Sequence, residues 1–70
     1  MRLAFIGFRH DHVLALYQAI KNDSDIEIVA LCESDAAQRQ VLQDRQGMRF
    51  SHTDPGVLLQ EVDCDAVVIG

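Results

Sequence analysis

Seventy residues carry eleven acidic against six basic side chains, a formal net charge of −5, with 49% hydrophobic residues and two cysteines. A chain this short makes at most one small domain, which buries only about 60% of the surface its unfolded form exposes. The acidic balance, with no basic cluster, argues against nucleic acid and anionic membrane as partners, and no run approaches the roughly 20 apolar residues of a membrane span. Small-molecule work in the cytoplasm is the expectation that remains. The first apolar run is about half the length of a signal-peptide core, and polar His10-Asp11-His12 follows it in place of a small-residue cleavage site.

Leu3 to Ile6 is an unbroken hydrophobic run closed by Gly7, as suits a strand buried on both faces in a parallel α/β sheet. The pattern then turns polar and resumes as a helical stripe, predicting a helix from about Asp11 to Lys21. Val13, Leu16, Tyr17 and Ile20 fall on one face, with Asp11 as the cap. The unit is thus strand, glycine, short turn, helix. In open parallel sheets a ligand sits at such a turn, because it lies at the carboxyl end of a strand and the helix start points free N–H groups at an anion.

Asn22 to Asp25 supplies a stop and a turn, after which Ile26 to Cys32 is β-branched and strand-like and ends at Glu33-Ser34-Asp35. Asp35 and Gln38 have cap and third-position spacing for a second helix, whose thin apolar stripe is Ala36, Ala37, Val41 and Leu42 and which faces water on most sides. Gly47 stands where a left-handed C-terminal residue is wanted. Met48 to Phe50 is long enough for a short third strand near an edge. Asp54 as cap and Pro55 in the first turn open a short third helix carrying Val57, Leu58 and Leu59. The last run, Asp65 to Gly70, reads as another buried strand closed by glycine.

The sum is an α/β alternation, β-α-β-α-β-α-β, calling for a Rossmann-type parallel sheet in the order 3-2-1-4. The sheet is expected to be incomplete, with the chain forming the first part of something longer. In that strand order Cys32 and Cys64 lie at opposite ends and edges, predicting free thiols, mostly buried.

The dinucleotide fingerprint wants glycine at the first, third and sixth positions of the first turn; those positions hold Gly7, Arg9 and His12. Arg9 intrudes where backbone would approach a pyrophosphate, yet a guanidinium is also a good bidentate partner for phosphate oxygens. His12 either holds the helix a little away from the strand or marks a differently shaped turn. Glu33, at the end of the next strand, is placed to accept hydrogen bonds from a ribose diol. A carboxylate there favours NAD over NADP, and no arginine follows it closely. The plainer reading of Glu33 is a solvated acid preceding a helix. His10, Asp11 and His12 with His52 invite a metal reading, but consecutive residues diverge and nothing enforces the approach of His52, so no metal is expected. No G-x-S-x-G elbow exists to support a serine hydrolase.

Taken together, Leu3 to Gly7, Ile28 to Asp35, Thr53-Asp54-Pro55 and Val62 to Ile69 make the chain similar to the amino-terminal part of the Gfo/Idh/MocA family of NAD(P)-dependent oxidoreductases, over essentially all seventy residues. The resemblance implies a Rossmann domain followed by a carboxy-terminal α/β domain that builds the substrate pocket and a homo-oligomer contact. It also implies hydride transfer between NAD(H) and a sugar, cyclitol or similar polyol. Residue by residue, Gly7, Phe8, Arg9, His10, Asp11 and His12 would lie at the pyrophosphate, and Glu33 and Ser34 at the adenosine ribose. The family's catalytic lysine and histidine fall beyond these stretches, so no catalytic residue is named. Some relatives keep the fold as ligand-sensing or regulatory proteins without turnover, which is the alternative reading.

Overall fold

A computed structural model describes residues 1–70 as six elements: β1 (Arg2–Ile6), α1 (Asp11–Ile20), β2 (Glu27–Cys32), α2 (Ala36–Gln46), α3 (Pro55–Glu61) and β3 (Ala66–Ile69). The three strands form one parallel sheet in the order β2-β1-β3. No helix is long and apolar enough to cross a membrane.

β1 holds the centre because its side chains serve two cores at once. Side chains alternate across a strand. Leu3 and Phe5 join Phe8, Val13, Leu31, Leu42 and Met48 on the face covered by α1 and α2, while Ala4 and Ile6 join Ala30, Cys32 and Leu58 on the face covered by α3. An unbroken apolar run is what such a two-faced strand requires.

The helix ends follow local side-chain chemistry. Asp35 accepts from the N–H groups of Ala37 and Gln38, and Asp54 accepts from those of Gly56 and Val57, each satisfying donors that a first turn leaves open. Gly47 closes α2 in the left-handed region, with φ of +65°. α1 departs from expectation at its start. His10 occupies the cap position without a side-chain hydrogen bond, and Asp11 is already the first helical residue.

The inward stripe of α1 is also rotated from the expected one. Tyr17 packs edge-on against both rings of the stacked Phe5–Phe8 pair, at ring separations of 5.8 and 5.9 Å. With about 100° between successive residues, a stripe centred on Tyr17 brings Leu14 to its flank and turns Leu16 outward. Leu14 packs on the core, and Leu16 is 42% exposed.

The expected third strand at Met48 to Phe50 does not form. Met48 is buried in the core and Phe50 packs edge-on against Phe8. The Ser51 hydroxyl accepts the Leu31 N–H that a neighbouring strand's carbonyl would have taken. What remains of strand pairing there is one parallel bridge between Cys32 and His52. The sheet is therefore three-stranded, and the expected order of four does not arise. His52 bonds Ser51 Oγ through Nδ1 and Glu61 through Nε2, tying this loop to the end of α3. Cys32 is buried and Cys64 half-buried, both as free thiols.

Candidate functional site at the carboxyl ends of the strands

Gly7 turns the chain out of β1 with φ of +89°, a backbone that residues with a Cβ rarely adopt. It also packs backbone to backbone against Gly70 at the end of β3. A Cβ on Gly7 would stand 2.8 Å from the Gly70 carbonyl oxygen, so this position needs glycine on two counts. The N–H of Gly7 donates to Cys32 O and that of Gly70 to Ile6 O, each at 2.9 Å, continuing the sheet past the named strands.

The two glycines floor a cleft of about 230 Å³, walled by Ile6, Arg9, Glu33, Ser34 and Pro55. It lies at the carboxyl ends of all three strands, where a parallel α/β sheet places its ligands.

Glu33 is the buried acid of this cleft, 1% exposed. It is not the solvated acid of the plainer reading. Its Oε1 accepts from the Phe8 N–H and its Oε2 from the Asp35 N–H, both at 2.8 Å. The carboxylate thus joins the turn after β1 to the start of α2. Arg39 donates to the Glu33 carbonyl at 2.7 Å, and Gln38 donates to the Phe8 carbonyl at 2.9 Å, so the first turn of α2 clamps both sides of the same junction. An ionised carboxylate has about four acceptor positions, and two are spent on backbone.

Arg9 reaches from the turn after β1 toward the end of β2. Its Nη2 donates to Ser34 Oγ at 3.4 Å, and its Nε stands 3.9 Å from Glu33 Oε2. The guanidinium is otherwise open, with the side chain 63% exposed. Arg9 is therefore beside the proposed ribose corner, not beneath the turn.

The rest of the predicted phosphate-facing group divides. The Phe8 side chain is buried, stacked on Phe5 at 5.7 Å, and its N–H is taken by Glu33; aromatic packing removes it from any ligand. The N–H groups of Arg9, His10, Asp11 and His12 have no protein acceptor and remain as donors at the start of α1. The His10 and His12 rings stack on each other at 5.4 Å, exposed and outside the cleft wall, as is Asp11. His52 stands with Ser51 and Glu61 instead of with them.

Two titrations are moved by this architecture. The Cys32 thiol is pushed up, first by burial and then by the negative charges of Glu33 and Asp54, which keeps it protonated and a poor nucleophile. The Asp35 carboxyl is held low, first by the Gln38 N–H and then by that of Ala37, with Arg9 and Arg39 adding to the effect.

Sequence reasoning missed the far wall of the cleft, Pro55 and Gly70, and the clamping roles of Gln38 and Arg39. Gly70 carried one signal: it closes its strand just as Gly7 closes the first. A larger groove, about 380 Å³, runs along β2 past Tyr17, Lys21 and Arg49, away from the strand ends. Compared with known proteins, the chain matches no family model, no curated protein and no solved structure.

Proposed function

We propose that this chain is the nucleotide-binding part of an NAD(P)-dependent oxidoreductase of Rossmann type, moving a hydride between a nicotinamide and a carbon of a sugar, cyclitol or similar polyol. The observation that carries the reading is the cleft between the Gly7 turn and the end of β2, with two exposed polar side chains, Arg9 and Ser34, on its rim and with the free N–H groups at the start of α1 following on the same turn. Backbone N–H groups at a helix start suit a diphosphate, and a guanidinium beside a hydroxyl offers a separate set of donors at the rim. The dinucleotide would supply the redox chemistry. This chain's residues would bind and orient it, and the acid and base for the hydroxyl would come from elsewhere in the working protein.

A second reading, a ligand-sensing or regulatory protein on the same architecture, draws support from Glu33. Its acceptor positions are half occupied by the fold, as expected of an acid kept for structure.

Calorimetric titration of the purified protein with NADH and NADPH tests the first reading. Binding of either dinucleotide is the expected result, and no heat from either at millimolar concentration would remove the cofactor from the account. Binding without turnover of any polyol in the full-length protein would move the conclusion to the sensor.

A further inference from the structure

Resting on the nucleotide reading, we infer that the Arg9 and Ser34 corner of the cleft takes a phosphomonoester, the 2′-phosphate of an adenosine ribose, so that the dinucleotide held there is NADP(H) in preference to NAD(H).

The residues in order along the chain point the other way, since Glu33 ends β2 and no arginine follows it closely. The fold changes both halves of that argument. The acid does not stand free to grip a diol: each oxygen holds a backbone N–H at 2.8 Å, and the residue is 1% exposed. The missing arginine arrives from the other direction, 25 positions before Ser34, carried over by the turn after β1.

The charges sort accordingly. Glu33 and Asp35 are the acids at this corner, and both are turned onto backbone N–H groups, Glu33 on Phe8 and Asp35 and the latter on Ala37 and Gln38. Arg39 is occupied by the Glu33 carbonyl. Arg9 is the cation with donors to spare: one contact, to the Ser34 hydroxyl, is long at 3.4 Å, and the nearest acid oxygen is 3.9 Å away. A planar guanidinium beside an exposed hydroxyl matches a phosphate dianion, which takes two parallel N–H donors and a third from oxygen. A neutral diol would use the guanidinium poorly, because it brings no charge to match it and guanidinium has no acceptor to offer hydroxyl protons.

The test uses two small probes that differ only in the group at issue, adenosine 2′,5′-bisphosphate and adenosine 5′-monophosphate, followed by NADPH and NADH. The bisphosphate should bind at least about tenfold more tightly than the monophosphate, and NADPH should outrank NADH in the same sense. Arg9→Ala, at an exposed position, should abolish most of that difference while leaving the monophosphate affinity within about twofold. Arg9→Lys should restore part of it, as a point charge without the fork. Equal binding of the two probes, tighter NADH, or an Arg9→Ala loss shared by both probes would overturn this inference alone. No binding by any of the four compounds would overturn the nucleotide reading and this inference with it.

Discussion

The Phe8 N–H and the Glu33 carboxylate meet at 2.8 Å in the interior, so the turn that leaves the first strand is bonded to the acid that ends the second. With the bonds from Asp35, Gln38 and Arg39 it fixes the junction that forms this side of the cleft. It withdraws the acid from solvent and holds the turn in the position from which Arg9 reaches Ser34.

Removing that acid should be felt in stability first. Glu33→Ala orphans two buried or half-buried backbone donors, each worth about 1–3 kcal/mol when left unsatisfied. Glu33→Gln keeps one acceptor oxygen and should lose distinctly less. Urea denaturation midpoints of the two variants check the order, and equal, negligible losses would contradict the clamp.

Glycine is required for different reasons at two places. Gly47→Ala meets no neighbouring atom but must hold φ of +65°, a strain of about 1–2 kcal/mol. Gly7→Ala bears a similar backbone cost and also drives a methyl against the Gly70 carbonyl, so it should be the more destabilising of the pair by thermal melting.

Asp35 gives the protein an acid-sensitive helix start. Its folded titration lies below its unfolded one, so its contribution is complete above the unfolded value and drains away as pH falls below about 4 and on through the lower folded value. Asp35→Asn should cap without that dependence. Melting temperatures measured down through the acid range should converge for the two proteins as pH falls.

Leu58 is the one buried side chain of the short third helix. Leu58→Ala empties a fully buried site and should cost about 2–5 kcal/mol, while Leu59→Ala, at a position 57% exposed, should stay within about 0.5 kcal/mol. Chemical denaturation of the two alanine variants makes the comparison.

What could be read from the chain alone was what depends on near neighbours. The caps at Asp35 and Asp54 and the left-handed Gly47 follow from residues within three or four positions, and each is where the spacing places it. The buried first strand was legible because its apolar run is continuous. Leu16 and the Met48 to Phe50 strand were misjudged because their fates are decided at a distance, by Tyr17 packing edge-on against the stacked Phe5 and Phe8 rings and by Ser51 capturing the edge of the second strand. At the site, Gly7 was legible from its place after the strand. The bonds of Glu33 to Phe8 and of Arg9 to Ser34 span 25 positions each and left no local trace.

The central claim, that the cleft at the strand ends receives a dinucleotide, is tested most directly by amide NMR spectra recorded during titration with NADPH. The account predicts saturable shifts at Gly7, Arg9, His10 and Ser34. Spectra unchanged at millimolar nucleotide, or shifts confined to Tyr17, Lys21 and Arg49 along the other groove, would contradict it.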